Sequence, residues 1–279
     1  MVTAQRTGAV LAFVALFAAL AYLGLCGALF LQQRSLLYFP QPRSGEAAGE
    51  LLALAIADGP PGSRVLVTVR RRPGLKALLY FGGNAEAVAG QLPLLEAAFP
   101  EHSLYLMHYR GYGGSSGQPS EQALFADALA LFDRVRVDHD RIEVLGRSLG
   151  SGVAVHLAAR RPVARLVLVT PFDSIEAVAS GQFPLVPVAL LLRDKYRSWA
   201  DAPRVEASTL LIAAERDEVI PRANTDALLS HFRPGVASLV VLPVDSHNAV
   251  EASSRYIPLL REFSASSDGG LGPPSRSAR

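Results

Sequence analysis

The strongest constraint on the fold is an alternation of short apolar runs with longer amphipathic stretches between residues 48 and 263. The runs are nearly continuous in apolar residues, as expected of strands that are covered on both faces. They predict strands at residues 65–69, 77–81, 103–107, 142–145, 166–170, 210–213 and 239–242. Helical patterns lie between the runs at residues 85–99, 120–137 and 149–160. This order predicts an α/β fold with a mostly parallel central sheet and helices on both faces.

In a sheet of this kind, sites form where strands end and helices begin. One segment, residues 171–203, breaks the alternation, because it is long, contains four prolines and lies between two predicted strands. Its length and position predict a lid over the site. An ordinary pair of surface helices is the alternative, and the two interpretations are compatible.

The N-terminal region contains a long run, residues 8–31, without a charged side chain. At 1.5 Å per residue, these 24 residues are longer than the roughly 30 Å core of a bilayer. The run also lacks the polar face of a helix that packs on a soluble core. It therefore predicts a single-pass anchor within residues 1–34 rather than a signal peptide cleaved at Ala19-Leu20-Ala21. The charges on its two flanks favour neither orientation in the membrane.

Composition excludes several classes of function. The formal net charge is only +2, and no basic tract lies on a predicted helix face, so the sequence does not predict a nucleic-acid partner. Cys26 is the single cysteine, which excludes a disulfide framework and a multi-cysteine metal site. No motif calls for a metal or an organic cofactor. Residues 264–279 are rich in Ser, Gly and Pro and predict a disordered tail, which leaves residues 35–263 as one folded domain.

The stretch "VLGRSLGSG", residues 144–152, follows one predicted strand and opens one predicted helix. Its Gly-x-Ser-x-Gly pattern suits a tight turn in which the Ser148 hydroxyl projects above the sheet. Small residues flank the serine because the strand and helix backbones pass close to each other there. The pattern predicts a nucleophile at Ser148, and the alternative is a small-residue turn that only begins a helix.

A serine hydroxyl needs a base to become a nucleophile, and the base needs an acid to orient it. In this architecture the three follow the chain order serine, acid, base. His231 and His247 lie well after Ser148. His247 follows the strand at 239–242 and is the predicted base, whereas His231 lies at a helix end, where a cap is expected. His108, at the end of another strand, is expected to border the pocket.

The predicted acid is Asp217, which lies in the loop after the strand at residues 210–213. Glu215 and Glu218 in the same loop are alternatives, and Asp173 after the preceding strand is a more distant one. For any single one of these carboxylates, a helix cap or a solvated loop charge is the competing interpretation. Asp217 is favoured because it completes an ordered set of groups at strand ends.

Acyl transfer also needs donors for a developing oxyanion. One is expected from the backbone N–H of Leu149, because the first N–H groups of a helix have no intrahelical acceptor. The second is expected from the loop "YFGGNAE", where two glycines allow close backbone approach and the N–H of Gly83 or Asn84 can face the serine. The other interpretation is a plain strand-to-helix turn with Asn84 as the helix N-cap, and the two are compatible.

These motifs occur together with others in one order along the chain. The combination resembles the α/β-hydrolases, and most closely their Bem-like branch of small membrane-anchored serine hydrolases. The matching stretches are "LLYFPQP", "YFGGNAE", "YRGYGGSSGQPSE", "LGRSLGSGVAVHLA", "TPFDSI", "ERDEVIP" and "SHN". The resemblance implies an α/β-hydrolase fold after one transmembrane helix, with Ser148 as nucleophile, Asp217 as acid and His247 as base. One departure is Gly82, where that branch usually has a histidine.

The expected activity is hydrolysis of carboxylic esters or thioesters, of the acyl-lipid or acyl-protein type, through an acyl-enzyme. The expected partners are the acyl substrate and, through the N-terminal helix, a lipid bilayer. Relatives of this fold include peptidases and proteins that have lost the triad. A serine peptidase and a non-catalytic binding protein therefore remain alternatives at this point.

Overall fold

The computed structural model describes residues 2–43, 49–56 and 58–266. The chain begins with helix α1 (Val2–Leu37). Its part Val10–Leu37 is long and apolar enough to cross a membrane, a property that anchors and signal sequences share. The predicted span at residues 8–31 lies within α1, which continues to Leu37 and therefore into the predicted domain.

Eight strands of the described residues form one sheet. They are β1 (Glu50–Ala55), β2 (Arg64–Arg70), β3 (Lys76–Phe81), β4 (Ser103–Met107), β5 (Arg141–Arg147), β6 (Arg165–Val169), β7 (Ser208–Ala214) and β8 (Ala237–Leu242). Their order across the sheet is β1-β2-β4-β3-β5-β6-β7-β8. β2 runs antiparallel to both of its neighbours, and the strands from β4 to β8 are parallel. The predicted mostly parallel sheet is confirmed.

Helices cover both faces of the sheet, as predicted. The helices after α1 are α2 (Leu92–Ala98), α3 (Glu121–Val135), α4 (Leu149–Ala158), α5 (Ile175–Gln182), α6 (Val188–Leu191), α7 (Ser198–Asp201), α8 (Arg222–His231) and α9 (Tyr256–Ala265). The apolar sides of α3, α4 and α8 pack on one face, and those of α2 and α9 pack on the other. Ser120 caps α3, since its Oγ accepts the Ala123 N–H at 3.2 Å.

Apart from shifts of one or two residues at the ends of strands and helices, three parts of the prediction differ from the structure. Strand β1 is absent from the prediction because it is a mostly exposed edge strand, and its Leu/Ala pattern lacks the continuous apolar character of the others. The helix expected from residue 85 begins as a short 3₁₀ turn (Val88–Gln91) that leads into α2. The predicted tail at 264–279 starts too early, because α9 continues to Ala265 with Phe263 buried against the sheet. The tail beyond residue 266 lies outside the described residues.

Candidate active site

Ser148 occupies the sharp turn between the end of β5 and the start of α4. Its backbone has φ 50° and ψ −118°, a region that residues with a side chain rarely adopt. Two glycines make this turn possible. A Cβ on Gly146 would overlap the carbonyl oxygen of Gly150, and a Cβ on Gly150 would overlap the carbonyl oxygen of Phe81. The Gly-x-Ser-x-Gly spacing is therefore required by the close approach of β5, α4 and the end of β3.

The structure brings Ser148, His247 and Asp217 together. His247 Nε2 lies 3.0 Å from Ser148 Oγ. His247 Nδ1 lies 2.8 Å from Oδ2 and 3.0 Å from Oδ1 of Asp217. Ser148 follows β5, Asp217 follows β7 and His247 follows β8, so parallel strands deliver all three to one edge of the sheet.

The local environment favours an ionised Asp217. Burial of this carboxyl raises its pKa, but the hydrogen bond with His247 and those from the Ile220 and Val219 N–H groups lower it by more. The pKa of Asp217 therefore lies below its ordinary value. An ionised Asp217 accepts the Nδ1–H of His247 and leaves Nε2 as an acceptor for the Ser148 hydroxyl.

The alternative acids occupy other positions. Glu218 Oε2 accepts the backbone N–H of His247 at 2.9 Å, so it positions that segment rather than the imidazole. Glu215 is exposed to solvent. Asp173 Oδ1 accepts a hydrogen bond from Asn224 Nδ2 at 2.7 Å. Among the residues that the structure describes, no cluster of three His, Cys, Asp or Glu side chains could hold a metal ion.

Two other histidines lie away from Ser148. His231 ends α8, and its Nδ1 lies 2.7 Å from the carbonyl oxygen of Ala227, as expected of a residue at a helix end. His108 does not border the cavity as predicted. It is buried, and its Nε2 lies 2.8 Å from Thr68 Oγ1 on the neighbouring strand β2.

The two expected oxyanion donors in the Gly83–Asn84 loop are in different situations. The Gly83 N–H donates to Glu86 Oε2 at 2.8 Å, so this donor is already engaged. No acceptor for the Asn84 N–H is found within the described parts of the chain. Leu149 is the first residue of α4, and its N–H has no intrahelical acceptor. Asn84 and Leu149 line the same cavity as Ser148.

Asn84 is fixed by contacts with the end of α1 rather than by a helix of its own. Its Nδ2 donates to the Leu37 carbonyl oxygen at 3.0 Å. Its own carbonyl oxygen accepts the Phe39 N–H at 3.0 Å and the Tyr112 hydroxyl at 2.7 Å. The alternative of Asn84 as an N-cap is therefore wrong, because the helical turn begins later, at Val88.

Arg147, to which the sequence assigned no role, connects the loops around the site. Its Nη1 lies 3.0 Å from Glu86 Oε2, in the loop after β3. Its Nε lies 2.9 Å from Glu251 Oε1, and its Nη2 donates to Asn248 Oδ1 at 2.8 Å. Glu251 and Asn248 belong to the 3₁₀ turn that starts at His247. These contacts join positions far apart in sequence, so no local motif predicts them.

A cavity of about 220 Å³ lies directly against Ser148. Its walls are mostly apolar, and most of them come from two parts of the chain, the C-terminal turns of α1 and the predicted lid segment at 171–203. The α1 side consists of Leu29, Phe30, Gln33, Leu36 and Leu37. The lid side includes Ile175, Val178, Phe183, Val186, Val188 and Leu191. The contribution of α1 to this cavity could not be read from the sequence, because a span and a cavity wall are both apolar.

The chain is similar to several known proteins. Residues 76–191 match the family model for the alpha/beta hydrolase fold. An uncharacterized protein of Mycobacterium tuberculosis is 36% identical over 261 residues, which cover 87% of this chain and 88% of the relative. The protein bem46 of Schizosaccharomyces pombe is 25% identical, with 87% of this chain and 89% of that protein covered. The alpha/beta hydrolase domain-containing protein 17B of Xenopus tropicalis is 29% identical, with 72% and 71% covered.

Solved structures show the same architecture. An esterase of Pyrococcus furiosus superposes with a TM-score of 0.65 at 14% identity, over 81% of this chain and 96% of the esterase. At that identity the likeness concerns the fold alone. The order of strands in the sheet and the turn at Ser148 agree with the α/β-hydrolase family match. The similarity to bem46 and to the 17B protein agrees with it as well. The chain belongs to the α/β-hydrolase superfamily, and within it to the Bem-like branch.

Proposed function

We propose that this protein is a membrane-anchored serine hydrolase that cleaves carboxylic esters or thioesters. The observation that carries this proposal is the chain of contacts from Ser148 Oγ to His247 Nε2, at 3.0 Å, and from His247 Nδ1 to Asp217 Oδ2, at 2.8 Å. Such an arrangement activates a hydroxyl, because the imidazole can take the proton and the carboxylate stabilises the resulting cation.

In the proposed reaction, Ser148 Oγ attacks the acyl carbon while His247 Nε2 takes the hydroxyl proton. The N–H groups of Asn84 and Leu149 bind the oxygen that becomes negative in the tetrahedral intermediate. His247 then gives its proton to the leaving alcohol or thiol, and the C–O or C–S bond breaks to leave an acyl-enzyme. Water, deprotonated by His247, releases the carboxylic acid and restores Ser148.

The cavity supports an acyl chain as the bound part of the substrate. Among the described residues, its lining includes four polar side chains, those of Gln33, Asn84, Ser148 and Gln182, and no charged one. An apolar wall stabilises a hydrocarbon chain by about 0.8 kcal/mol for each buried methylene group. A peptide would instead bring polar backbone groups, which this lining would leave without partners.

The test of the nucleophile is labelling by a short-chain fluorophosphonate, with Ser148→Ala and Ser151→Ala compared. Ser151 is a matched control, since it lies three positions further along and is fully buried in α4. We expect the parent and Ser151→Ala to label and to hydrolyse p-nitrophenyl esters, and Ser148→Ala to do neither. Equal labelling of Ser148→Ala would show that Ser148 is not the nucleophile. A folded parent that neither labels nor hydrolyses any ester would favour the non-catalytic alternative.

A further inference from the structure

Helix α1 is longer than a membrane span requires. Its apolar part, Val10–Leu37, has 28 residues and a length of about 42 Å, whereas the bilayer core is about 30 Å thick. The difference is about 12 Å, or about eight residues. The part of α1 that lines the cavity starts at Leu29 and ends at Leu37, so it corresponds to this excess at the C-terminal end.

The same end of α1 is bonded to the lid segment. Gln33 Oε1 accepts the Arg193 N–H at 2.7 Å, and Gln33 Nε2 donates to the Leu191 carbonyl oxygen at 3.2 Å. Arg34 Nε lies 2.9 Å from Oδ2 of Asp194, whose side chain is only 6% exposed. Asp194 is buried whereas the Arg34 side chain is 44% exposed, so solvent partly screens this ion pair but removal of Arg34 would leave a buried carboxylate without it. These contacts dock α1 onto the lid segment.

The tip of the lid segment is apolar and exposed. Phe183, Leu185 and Leu190 are 45%, 83% and 84% exposed. The Tyr22 hydroxyl donates to the Leu185 carbonyl oxygen at 2.8 Å. Tyr22 lies inside the apolar span, about 10 Å along the helix axis from Leu29 towards the N-terminus. The tip therefore lies beside a part of α1 that a membrane would surround, and apolar side chains there are covered by lipid rather than exposed to water.

We propose that α1 is a structural part of the substrate site and that the acyl chain enters the cavity directly from the bilayer. In this proposal the C-terminal end of α1 and the lid segment form the two walls, and the lid tip reaches the hydrocarbon layer. The substrate is an ester or thioester whose long acyl chain is already embedded in a membrane. The proposal rests on the proposed function, because it takes Ser148 as the group that attacks the acyl carbon.

The first test narrows the cavity from the α1 side. Leu29→Trp places a larger side chain in the wall, whereas Leu31→Trp, two residues away, adds the same side chain at a position that is 80% exposed and does not line the cavity. The full chain is reconstituted in phosphatidylcholine vesicles with p-nitrophenyl butyrate or palmitate. For Leu29→Trp, we expect the palmitate-to-butyrate ratio of kcat/KM to fall by roughly tenfold or more. Leu31→Trp should retain the parent ratio.

Fluorophosphonate labelling separates the two proposals. If the parent is not labelled, the proposed function fails, and the catalytic part of this inference fails with it. If the parent, Leu29→Trp and Leu31→Trp all label equally while Leu29→Trp keeps the parent palmitate-to-butyrate ratio of kcat/KM, α1 is not a wall of the substrate cavity. In that case the proposed function stands. Vesicles that carry palmitoyl glycerol and vesicles that carry an S-palmitoyl peptide distinguish an oxygen ester from a thioester. Loss of turnover of either substrate in Leu29→Trp supports the assignment of α1 as a wall of the cavity.

The second test measures depth in the membrane and does not depend on catalysis. Trp199 is the single tryptophan, so Trp199→Phe provides a background without that signal. In this background, Leu185→Trp is compared with Val137→Trp. Val137 is 77% exposed and precedes β5, so it lies at the opposite end of that strand from Ser148. In vesicles with lipids brominated on the acyl chain, we expect strong quenching of the tryptophan at 185 and little at 137. Equal quenching at the two positions would overturn the insertion of the lid tip.

Discussion

The Asp217 carboxylate fixes the orientation of the His247 imidazole. Its two oxygens accept His247 Nδ1–H and two backbone N–H groups, those of Val219 and Ile220. These donors all favour the charged carboxylate and outweigh the burial that would neutralise it. The imidazole therefore keeps its acceptor nitrogen towards Ser148.

We expect Asp217→Asn to lower kcat by roughly three to four orders of magnitude, because the amide no longer fixes the reactive tautomer of His247. The amide oxygen can still accept the two backbone N–H groups, so the loop is expected to keep its conformation. KM for p-nitrophenyl butyrate and the thermal midpoint should therefore remain close to those of the parent. Asp173→Asn serves as the control, and a loss of less than tenfold in Asp217→Asn would contradict the role of its charge.

His108 gives a pH-dependent contribution to stability. Burial, and next the positive charge of Arg43, lower the pKa of His108 from 6.5 to about 4. Between these values the unfolded chain binds a proton at this position and the folded chain does not. The free energy of unfolding therefore falls as the pH drops from about 7 towards 4, by up to about 3 kcal/mol.

The measurement is the urea midpoint of unfolding at pH 7.5 and at pH 4.5. We expect His108→Gln to show a smaller difference between the two midpoints than the parent. The control is His231→Gln, which replaces an exposed histidine and should keep the parent difference. An equal difference in His108→Gln and the parent would mean that His108 titrates alike in both states.

At the scale of elements, the site depends on four loops that follow β3, β5, β7 and β8. Arg147 links three of them, because it contacts Glu86 after β3 and Glu251 and Asn248 after β8 from its own position at the end of β5. The two carboxylates hold the pKa of Arg147 above its ordinary value in spite of the opposing effect of burial. The Arg147 side chain is 12% exposed, and its planar guanidinium contacts three partners in directions that a single ammonium group cannot reproduce.

We therefore expect Arg147→Lys to lower kcat by at least roughly tenfold, since an ammonium group cannot keep all three partners and the Asn84 and His247 loops shift relative to Ser148. KM should change little, because Arg147 does not line the cavity. The control is Arg161→Lys, at a half-exposed pair with Asp133 on the surface. If both substitutions leave kcat unchanged, Arg147 does not position the loops.

The strands and the turn at Ser148 could be predicted because they follow from the local sequence. Features that depend on contacts between residues far apart in the chain could not. Strands β3 to β7 are buried on both faces, as their nearly continuous apolar runs predict, and the turn at Ser148 follows from glycines at 146 and 150. By contrast, Glu86 engages the Gly83 N–H, which is why Asn84 rather than Gly83 is the proposed oxyanion donor. That distinction depends on the path of a loop, and both residues fit the same sequence pattern.

At the scale of the whole molecule, α1 connects the proposed membrane span, the cavity and the loop that carries the proposed oxyanion donor Asn84. Residues 10–25 of α1 are exposed and mostly apolar, and the C-terminal part from Leu29 to Leu37 lines the cavity. Its final carbonyl oxygen, that of Leu37, accepts a hydrogen bond from Asn84, whose N–H is the proposed oxyanion donor. The sequence alone predicts that α1 can span a membrane, but it does not predict that α1 lines the cavity. Hydropathy does not distinguish side chains that face lipid from side chains that face a cavity.

The mature chain is therefore expected to keep α1 intact. Cleavage at Ala19-Leu20-Ala21 would divide α1 and remove most of the residues that anchor it, while Tyr22 and the cavity-lining turns would remain without a full span. We expect the protein, expressed with a C-terminal tag, to stay in the membrane pellet after carbonate extraction at alkaline pH and to show the intact mass of all residues, apart from removal of Met1. A mature N-terminus at Tyr22, with the protein in the soluble fraction, would contradict the anchor. Because the C-terminal end of α1 would survive such a cut, long-chain ester hydrolysis by the cleaved form would still support its role as a cavity wall.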